Sequence, residues 1–175
     1  MDASFIAKTI TKKMTIVHTK KEVVLILDNI RSIFNVGSIF RTADCAGVSK
    51  LYLAGVTPDP VDRFGRERKD LAKVALGAEK KIKWEHVEDT ALLIKKLKKS
   101  GYGIVALEQA ENSVDYKKFK PEFPMALVLG EEVRGIQKNT LEKCDQIIEI
   151  PMMGEKESLN VSVATGVALF RILNI

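Results

Sequence analysis

Residues 23–53 read VVLILDNIRSIFNVGSIFRTADCAGVSKLYL and establish the pattern of the chain. The run from Val23 to Asp28 is apolar until its last residue and has the length of a strand buried on both faces. Residues 35–46 then place apolar side chains at helical spacing and stop at Gly47, and another short strand follows at 51–53. This strand–helix–strand order is typical of a parallel sheet covered by helices. The stretch therefore predicts an α/β fold.

The remainder of the chain continues this alternation. Further strands are predicted around 82–84, 103–107, 125–129 and 147–150, and further helices at 70–76, 90–99 and 159–173. About six strands alternating with helices predict a single-domain α/β layer sandwich with a parallel-type sheet. This domain spans residues 23–175, and residues 1–22 are predicted to form a basic N-terminal arm.

The composition is that of a folded protein, with 46% hydrophobic and 29% charged residues among 175. Lysine and arginine exceed aspartate and glutamate by 28 to 23, which permits a polyanionic partner without requiring one. No apolar run reaches the roughly 18 residues of a membrane span, and the N-terminus lacks the continuous apolar core of a signal peptide. We expect a cytoplasmic protein. Cys45 and Cys144 lack the spacing of metal ligands, so we expect buried free thiols and no metal site.

Polar residues cluster in three segments that follow predicted strands, at the sheet edge where ligands of α/β proteins bind. In the first segment, residues 29–42, Asn35 is placed to cap the helix, and Arg41 lies about 9 Å further along the helix axis. The two side chains point in different directions, so a shared site needs either a long reach or two protomers. Taken alone, Asn35 can equally be a plain cap and Arg41 a solvated or ion-paired side chain.

The second segment, LGEEVRGI at 129–136, leaves its strand through Gly130 and returns through Gly135, which indicates a tight turn. Its carboxylates and arginine can also form a purely structural ion-pair network. In the third segment, residues 150–162, either Ser158 or Asn160 can cap the last helix. That helix is apolar nearly all round, so it must be buried under the sheet or against a second subunit. We therefore predict a homodimer formed through this helix.

In this order and spacing, the three segments resemble the sequence motifs of the SpoU branch of the SPOUT superfamily of RNA 2′-O-methyltransferases. The matching pieces are NVGSIFRTA at 35–43, LVLGEEVRG at 127–135, IPMMG at 150–154 and SLNVS at 158–162. The resemblance covers about residues 23–173 and implies a deep trefoil knot in the C-terminal third, with a knotted cofactor site at about 127–173. The activity it implies is methyl transfer from S-adenosyl-L-methionine to a ribose 2′-hydroxyl of tRNA or ribosomal RNA, with tRNA slightly favoured.

The resemblance also implies which residues form the site. Contacts to the cofactor, made largely through backbone groups, are expected from Leu107, Gly130, Ile150, Met152 and Leu159. The reacting ribose is expected to meet Asn35 and Arg41, with Glu132, Ser158 and Asn160 lining the pocket. Because a guanidinium keeps its proton in proteins, Arg41 is a poor base. We expect it to hold the adjacent phosphate and to stabilise developing alkoxide charge.

Glu131 departs from the family pattern, since similar proteins commonly have asparagine there. The substitution places an extra negative charge beside the cofactor loop and could weaken or retune binding. We also expect no separate N-terminal RNA-binding domain of the kind found in many relatives, and therefore expect RNA contacts from the catalytic domain itself. The first candidates, in a loop after the second strand, are Arg63, Arg66, Arg68 and Lys69.

Other interpretations of these patterns stay open. The arginine-rich loop can be a solvated loop partly neutralised by Asp62 and Glu67, and the lysines of 95–99 are a second candidate for RNA contacts. The whole chain could be a catalytically inactive RNA-binding or ribosome-assembly factor on the same fold. A nucleotide-binding oxidoreductase is disfavoured because residues 28–37 contain no glycine-rich dinucleotide turn.

Overall fold

The computed structural model describes residues 21–175, and these form one sheet with helices on both faces. The strands are β1 (Val23–Asp28), β2 (Lys50–Ala54), β3 (Lys83–Val87), β4 (Gly103–Leu107), β5 (Val114–Asp115), β6 (Met125–Leu129) and β7 (Gln146–Glu149). The helices are α1 (Ile33–Ala46), α2 (Lys69–Ala75), α3 (Ala78–Lys81), α4 (Thr90–Lys99), α5 (Lys138–Leu141) and α6 (Val161–Leu173).

The sheet has the strand order β3-β2-β1-β6-β4-β7-β5, and every neighbouring pair is parallel. The predicted α/β fold with a parallel-type sheet is therefore confirmed. From β6 the chain passes beyond β4 to form β7, and then returns to pack α6 against α1. This path is consistent with the expected C-terminal knot.

The core lies in two layers, one on each face of the sheet. Along β1 all six residues are buried, and alternate side chains join opposite layers: Leu25 packs with α1, α2 and α6, and Ile26 packs with α4. Burial on both faces explains why this strand is a continuous apolar run rather than an alternating one. The apolar run in the sequence thus identified a central strand.

Helix α1 begins two residues before the predicted start. Ser32 is its N-cap, and the Ser32 hydroxyl accepts a hydrogen bond of 3.3 Å from the backbone N–H of Asn35. The prediction that Asn35 caps this helix is therefore wrong, because the cap position is already filled and Asn35 lies in the first turn. The predicted end is confirmed, since Gly47 adopts the left-handed conformation with φ 73°.

Helix α6 buries one face and exposes the other. Thr165, Ala168, Leu169 and Ile172 are buried, whereas Val163, Val167 and Phe170 form an exposed apolar stripe. Packing against α1 therefore covers only half of a helix that is apolar nearly all round. Asn160 caps this helix by accepting a hydrogen bond of 2.9 Å from the backbone N–H of Ser162.

The predicted basic arm at 1–22 lies outside the described residues except for its last two positions. There the Glu22 carbonyl accepts a hydrogen bond of 3.0 Å from the Met125 N–H.

The prediction of a buried thiol is wrong for Cys45, which is exposed on α1, and Cys144 is partly buried. None of the helices formed by residues 21–175 has the length and apolar character that crossing a bilayer requires.

Two leucines of α4 provide a matched test of the core. Leu97 is 5% exposed and Leu92 is 66% exposed on the same helix. Leu97→Ala should lower the free energy of unfolding by about 2–5 kcal/mol, because it leaves a cavity between α4 and the sheet. Leu92→Ala should change it by less than about 0.5 kcal/mol. Urea denaturation of both variants checks this, and equal losses would contradict the packing described here.

Candidate active site

The candidate site is a cavity at the carboxyl ends of β6, β4 and β7, which are neighbours in the sheet. The cavity has a volume of about 470 Å³. Its walls come from the ends of those three strands and from the start of α6, namely residues 107–109, 129–135, 149–150, 152, 158–161 and 164. Segments far apart in the sequence thus meet at the edge where parallel α/β sheets bind ligands. We call this space the motif cavity.

The residues expected to contact the cofactor all line the motif cavity. They are Leu107, Gly130, Ile150, Met152 and Leu159. Three of the residues expected near the ribose also line it, namely Glu132, Ser158 and Asn160. The folded chain therefore brings eight of the ten predicted cofactor and ribose residues to one cavity, and leaves Asn35 and Arg41 outside its wall.

Gly130 lies where the chain passes close to its own backbone. A methyl group on its α-carbon would lie 2.5 Å from the Gly135 carbonyl carbon and 2.5 Å from the Ile136 nitrogen. The intervening turn is closed by a 3.0 Å hydrogen bond from the Gly135 N–H to the Glu131 carbonyl. The predicted tight turn is present, and it requires glycine at 130 because backbone atoms fill the space that any side chain would need.

Glu108 holds this turn from the adjacent strand end. Its carboxylate accepts hydrogen bonds from the Ile136 N–H at 2.8 Å and from the Gln109 N–H at 2.9 Å. The side chain of Gln109 donates a 2.7 Å hydrogen bond to the Glu157 carbonyl, which joins the β4 end to the loop before α6. Neither Glu108 nor Gln109 was among the residues predicted from the sequence. Their position directly after a predicted buried strand is the signal that could have revealed them.

Asn35 is linked to the motif cavity through two side chains. Its amide donates a 2.7 Å hydrogen bond to the Glu132 carboxylate, and its amide oxygen accepts a 3.0 Å hydrogen bond from the Asn160 amide. Residues from the start of α1, the turn after β6 and the cap of α6 thus form one chain of hydrogen bonds. Because Asn35 does not cap α1, its side chain is available for these contacts.

Glu132 is ionised at neutral pH. Partial burial raises the pKa of this carboxyl, but hydrogen bonds from Asn35 and from the backbone outweigh that effect, so its pKa lies below the usual value. The charged carboxylate accepts hydrogen bonds and has no proton to donate. Within this network it can fix the orientation of the Asn35 amide, which presents its own donor to the carboxylate and its acceptor to Asn160.

A second cavity adjoins the first on the α1 side. Its lining residues are Arg31, Ser32, Asn35 and residues 131–134, so the turn after β6 separates the two spaces. In this turn Glu131 lies near two arginines, with distances from its carboxylate oxygens of 3.4 Å to Arg31 Nε and 3.8 Å to Arg134 Nε. The extra negative charge noted at Glu131 is therefore balanced by two guanidinium groups.

Arg41 and the arginine-rich loop lie apart from both cavities. Arg41 is exposed on α1 and lines neither space. The four basic residues expected to contact RNA, Arg63, Arg66, Arg68 and Lys69, lie between β2 and the first turn of α2. They are at the same edge of the sheet as the motif cavity, because every strand of the sheet is parallel, but they do not line it.

Comparison with known proteins identifies the family. The model of the SpoU rRNA Methylase family matches residues 22–170, which include every part of both cavities. The chain belongs to this family. The resemblance to the SpoU branch of the SPOUT superfamily is thereby confirmed.

Relatives of this SpoU family member are similar in sequence and in structure. A Staphylococcus saprophyticus protein assigned to the TrmH family of tRNA/rRNA methyltransferases is 39% identical over 153 residues, which are 87% of this chain and 59% of that protein. An AdoMet-bound rRNA methyltransferase from Sinorhizobium meliloti is 30% identical with a TM-score of 0.79, over 87% of this chain and 56% of that one. A TrmH/SpoU tRNA modifying enzyme from A. aeolicus is 30% identical with a TM-score of 0.77, over 89% and 75%.

The chain thus spans a little under three fifths of the length of the curated TrmH-family relatives it matches, 59% and 57% in two of them. The shared part contains the sheet, the motif cavity and the Asn35 network. What the SpoU family shares with this chain is therefore the domain that carries the candidate active site.

Gly130 and Gly154 provide a matched test of the turn. Gly130→Ala should lower the free energy of unfolding by about 1–3 kcal/mol, because the added methyl group forces the turn after β6 to open. Gly154, in the loop before α6, has nothing within 4 Å of an added methyl group, so Gly154→Ala should change stability by less than about 0.5 kcal/mol. Thermal and urea denaturation check both values. A Gly130→Ala variant as stable as the wild type would refute the close approach.

Proposed function

We propose that this chain is an RNA methyltransferase that moves a methyl group from S-adenosylmethionine to a ribose 2′-hydroxyl of tRNA or ribosomal RNA. One observation carries the proposal: the second and third family motifs line the motif cavity, and the Asn35–Glu132–Asn160 hydrogen bonds join it to the first motif in the adjoining space. A methyl donor and an acceptor nucleotide need two connected sites. The turn at 130–135, which both spaces share, lies between them.

The motif cavity fits S-adenosylmethionine. Its volume of about 470 Å³ is within the usual range for small-molecule sites, and its wall combines apolar side chains with a glycine turn that leaves backbone groups accessible. The S. meliloti relative is an AdoMet-bound structure of the same fold. We assign the holding of this cofactor to Leu107, Gly130, Ile150, Met152 and Leu159. When bound, the cofactor supplies a methyl group activated by a sulfonium.

Asn35, Glu132 and Asn160 position the acceptor. The ionised Glu132 carboxylate orients the Asn35 amide, and Asn160 holds the same amide from the other side. Together these residues align the ribose for an in-line attack. Correct alignment substantially lowers the activation barrier of a bimolecular reaction. Ser158, exposed on the wall of the motif cavity, can bind the ribose through its hydroxyl.

Arg41 contributes charge, and we propose that it does so from a partner subunit. Its guanidinium stays protonated, so it can hold the phosphate next to the acceptor and stabilise developing negative charge on the 2′-oxygen. Arg41 lines neither cavity of its own chain, which supports a second protomer as the one that brings it to the ribose. The exposed stripe of α6, with Val163, Val167 and Phe170, is the apolar surface that we propose as the homodimer interface.

The RNA is bound by basic residues at the same edge of the sheet, of which Arg68 is partly buried and the others are exposed. We propose that Arg63, Arg66, Arg68 and Lys69 contact its phosphates, which gives affinity without reading sequence. The A. aeolicus relative is a tRNA modifying enzyme, which supports tRNA as the favoured substrate class. An RNA substrate also fits the cytoplasmic location expected from the sequence.

Methyl transfer is tested with purified protein, S-adenosylmethionine and bulk tRNA or ribosomal RNA. The product should be a 2′-O-methyl nucleoside, detected by mass spectrometry after nuclease digestion. Arg41→Ala should slow transfer at least about a hundredfold, as expected when charge stabilisation at a developing oxyanion is lost. Lys143→Ala, which removes an exposed cation next to α5, is the control and should retain the wild-type rate. A near-wild-type rate for Arg41→Ala, or a methyl group on a base, would overturn this proposal.

Cofactor binding by itself separates the proposal from the inactive-factor alternative. Calorimetry of the wild-type protein should show one S-adenosylmethionine site per chain. If no heat of binding is detected at millimolar cofactor while RNA still binds, the chain is an RNA-binding factor rather than an enzyme.

Mixed dimers test the shared site. Asn35→Ala and Arg41→Ala should each be nearly inactive alone. If Arg41 acts on the partner's cavity, a mixed dimer contains one site with both residues intact, so co-expressed and re-purified mixtures should recover about a quarter of wild-type activity. If Arg41 acts within its own chain, the mixture stays inactive, because every site then lacks one of the two residues.

A further inference from the structure

Residues 61–67 form a small hairpin between β2 and α2. An antiparallel bridge joins Val61 to Glu67, and the Asp62 N–H donates a 2.8 Å hydrogen bond to the Arg66 carbonyl. Gly65, at φ 76°, turns the chain and donates a 2.9 Å hydrogen bond to the Asp62 carbonyl. We call this segment the 61–67 hairpin.

The Asp62 carboxylate makes the tip of this hairpin rigid. It accepts hydrogen bonds from the backbone N–H groups of Phe64 and Arg66 at 2.8 and 3.0 Å, and from Arg66 Nε at 2.8 Å. Hydrogen bonds from the Arg66 backbone and side chain lower the pKa of Asp62, so the carboxylate is charged at neutral pH. An ion pair of 2.9 Å between Glu67 and Lys80 fastens the base of the hairpin to α3.

Phe64 lies at this rigid tip and is 66% exposed. The guanidinium carbons of Arg63 and Arg66 lie 4.8 and 4.9 Å from the centre of its ring. Arg66 forms an ion pair with Asp62. Arg63 forms no ion pair with any residue of the range 21–175. The tip therefore presents an aromatic surface together with a cation that is free to meet an anion.

The hairpin extends from the same edge of the sheet as the candidate active site. It follows β2, whose neighbour β1 leads into residues 29–32, and the Val56 N–H donates a 3.2 Å hydrogen bond to the Asn29 side chain. Arg31, an exposed cation that follows β1, lines the adjoining cavity. The loops that carry the hairpin and this cavity extend from the same edge of one parallel sheet, so an RNA strand bound along that edge can contact both.

We propose that Phe64 is a stacking platform for an unpaired base of the RNA substrate, with Arg63 contacting the phosphate next to that base. The inference rests on the proposed RNA methyltransferase function and assigns part of its substrate recognition. A single-stranded nucleic acid is the partner that combines flat π-faces with closely spaced anions, and aromatic side chains beside arginine are the usual means of binding it. The rigid turn lowers the cost of binding because the ring is held in place beforehand.

The test compares binding of labelled short oligoadenylate with a strand of the same length whose riboses carry no bases. Measured by fluorescence anisotropy at fixed low salt, Phe64→Ala should weaken oligoadenylate binding about tenfold, the usual loss for one stacked base. It should leave the abasic strand unaffected, because that strand is held by charge alone. Phe64→Trp should bind oligoadenylate at least as tightly as the wild type.

Leu92→Ala is the matched control, since Leu92 is as exposed as Phe64 and lies on α4. It should bind both probes like the wild type. The proposal is overturned if Phe64→Ala binds oligoadenylate normally, if it loses both probes equally, or if the wild type binds neither. Methyl transfer is measured separately: a protein that binds through Phe64 but transfers no methyl group refutes the proposed activity and leaves the platform intact.

Discussion

The close approach of Gly130 to the backbone of Gly135 and Ile136 is the constraint on which the candidate site depends. It allows the chain to leave β6, form a tight turn and return without filling the space beyond the strand ends. Glu108, from the neighbouring strand, accepts the Ile136 N–H and so couples the turn to β4. The motif cavity is therefore shaped by backbone contacts, which explains why several of its predicted cofactor residues are apolar or glycine.

Charge around this turn is balanced in two separate pairings. Glu132 belongs to the Asn35 network and stays ionised because neutral donors surround it. Glu131 instead faces Arg31 and Arg134 at the mouth of the adjoining cavity. The departure from the common family asparagine thus brings no unpaired charge to the motif cavity, since the carboxylate is only 12% exposed and directed toward two cations.

Helix α6 takes part in the hydrogen-bond network of the site, in the core and in the proposed dimer interface. Its capping residue Asn160 belongs to the hydrogen-bond network, its buried face packs against α1, and its exposed stripe is the proposed dimer surface. Arg41 lies on α1, the helix against which α6 packs, but lines neither the motif cavity nor the adjoining cavity. The proposed dimer would therefore be part of the active site itself, in addition to covering apolar surface.

The sequence by itself determined the parallel α/β sheet and most of the cavity wall. Buried strands appear as apolar runs and ligand residues follow them, so β1 and Gly130 could be located from pattern alone. Only the tertiary structure decided that Ser32 rather than Asn35 caps α1, and that Glu108 holds the turn after β6. Glu108 and Ile136 are 28 positions apart in the sequence, and only the folded chain brings them into contact. Local propensity cannot choose between two candidate capping residues three positions apart, nor can it pair residues that are distant in the sequence. Both outcomes depend on which strand ends become neighbours in space.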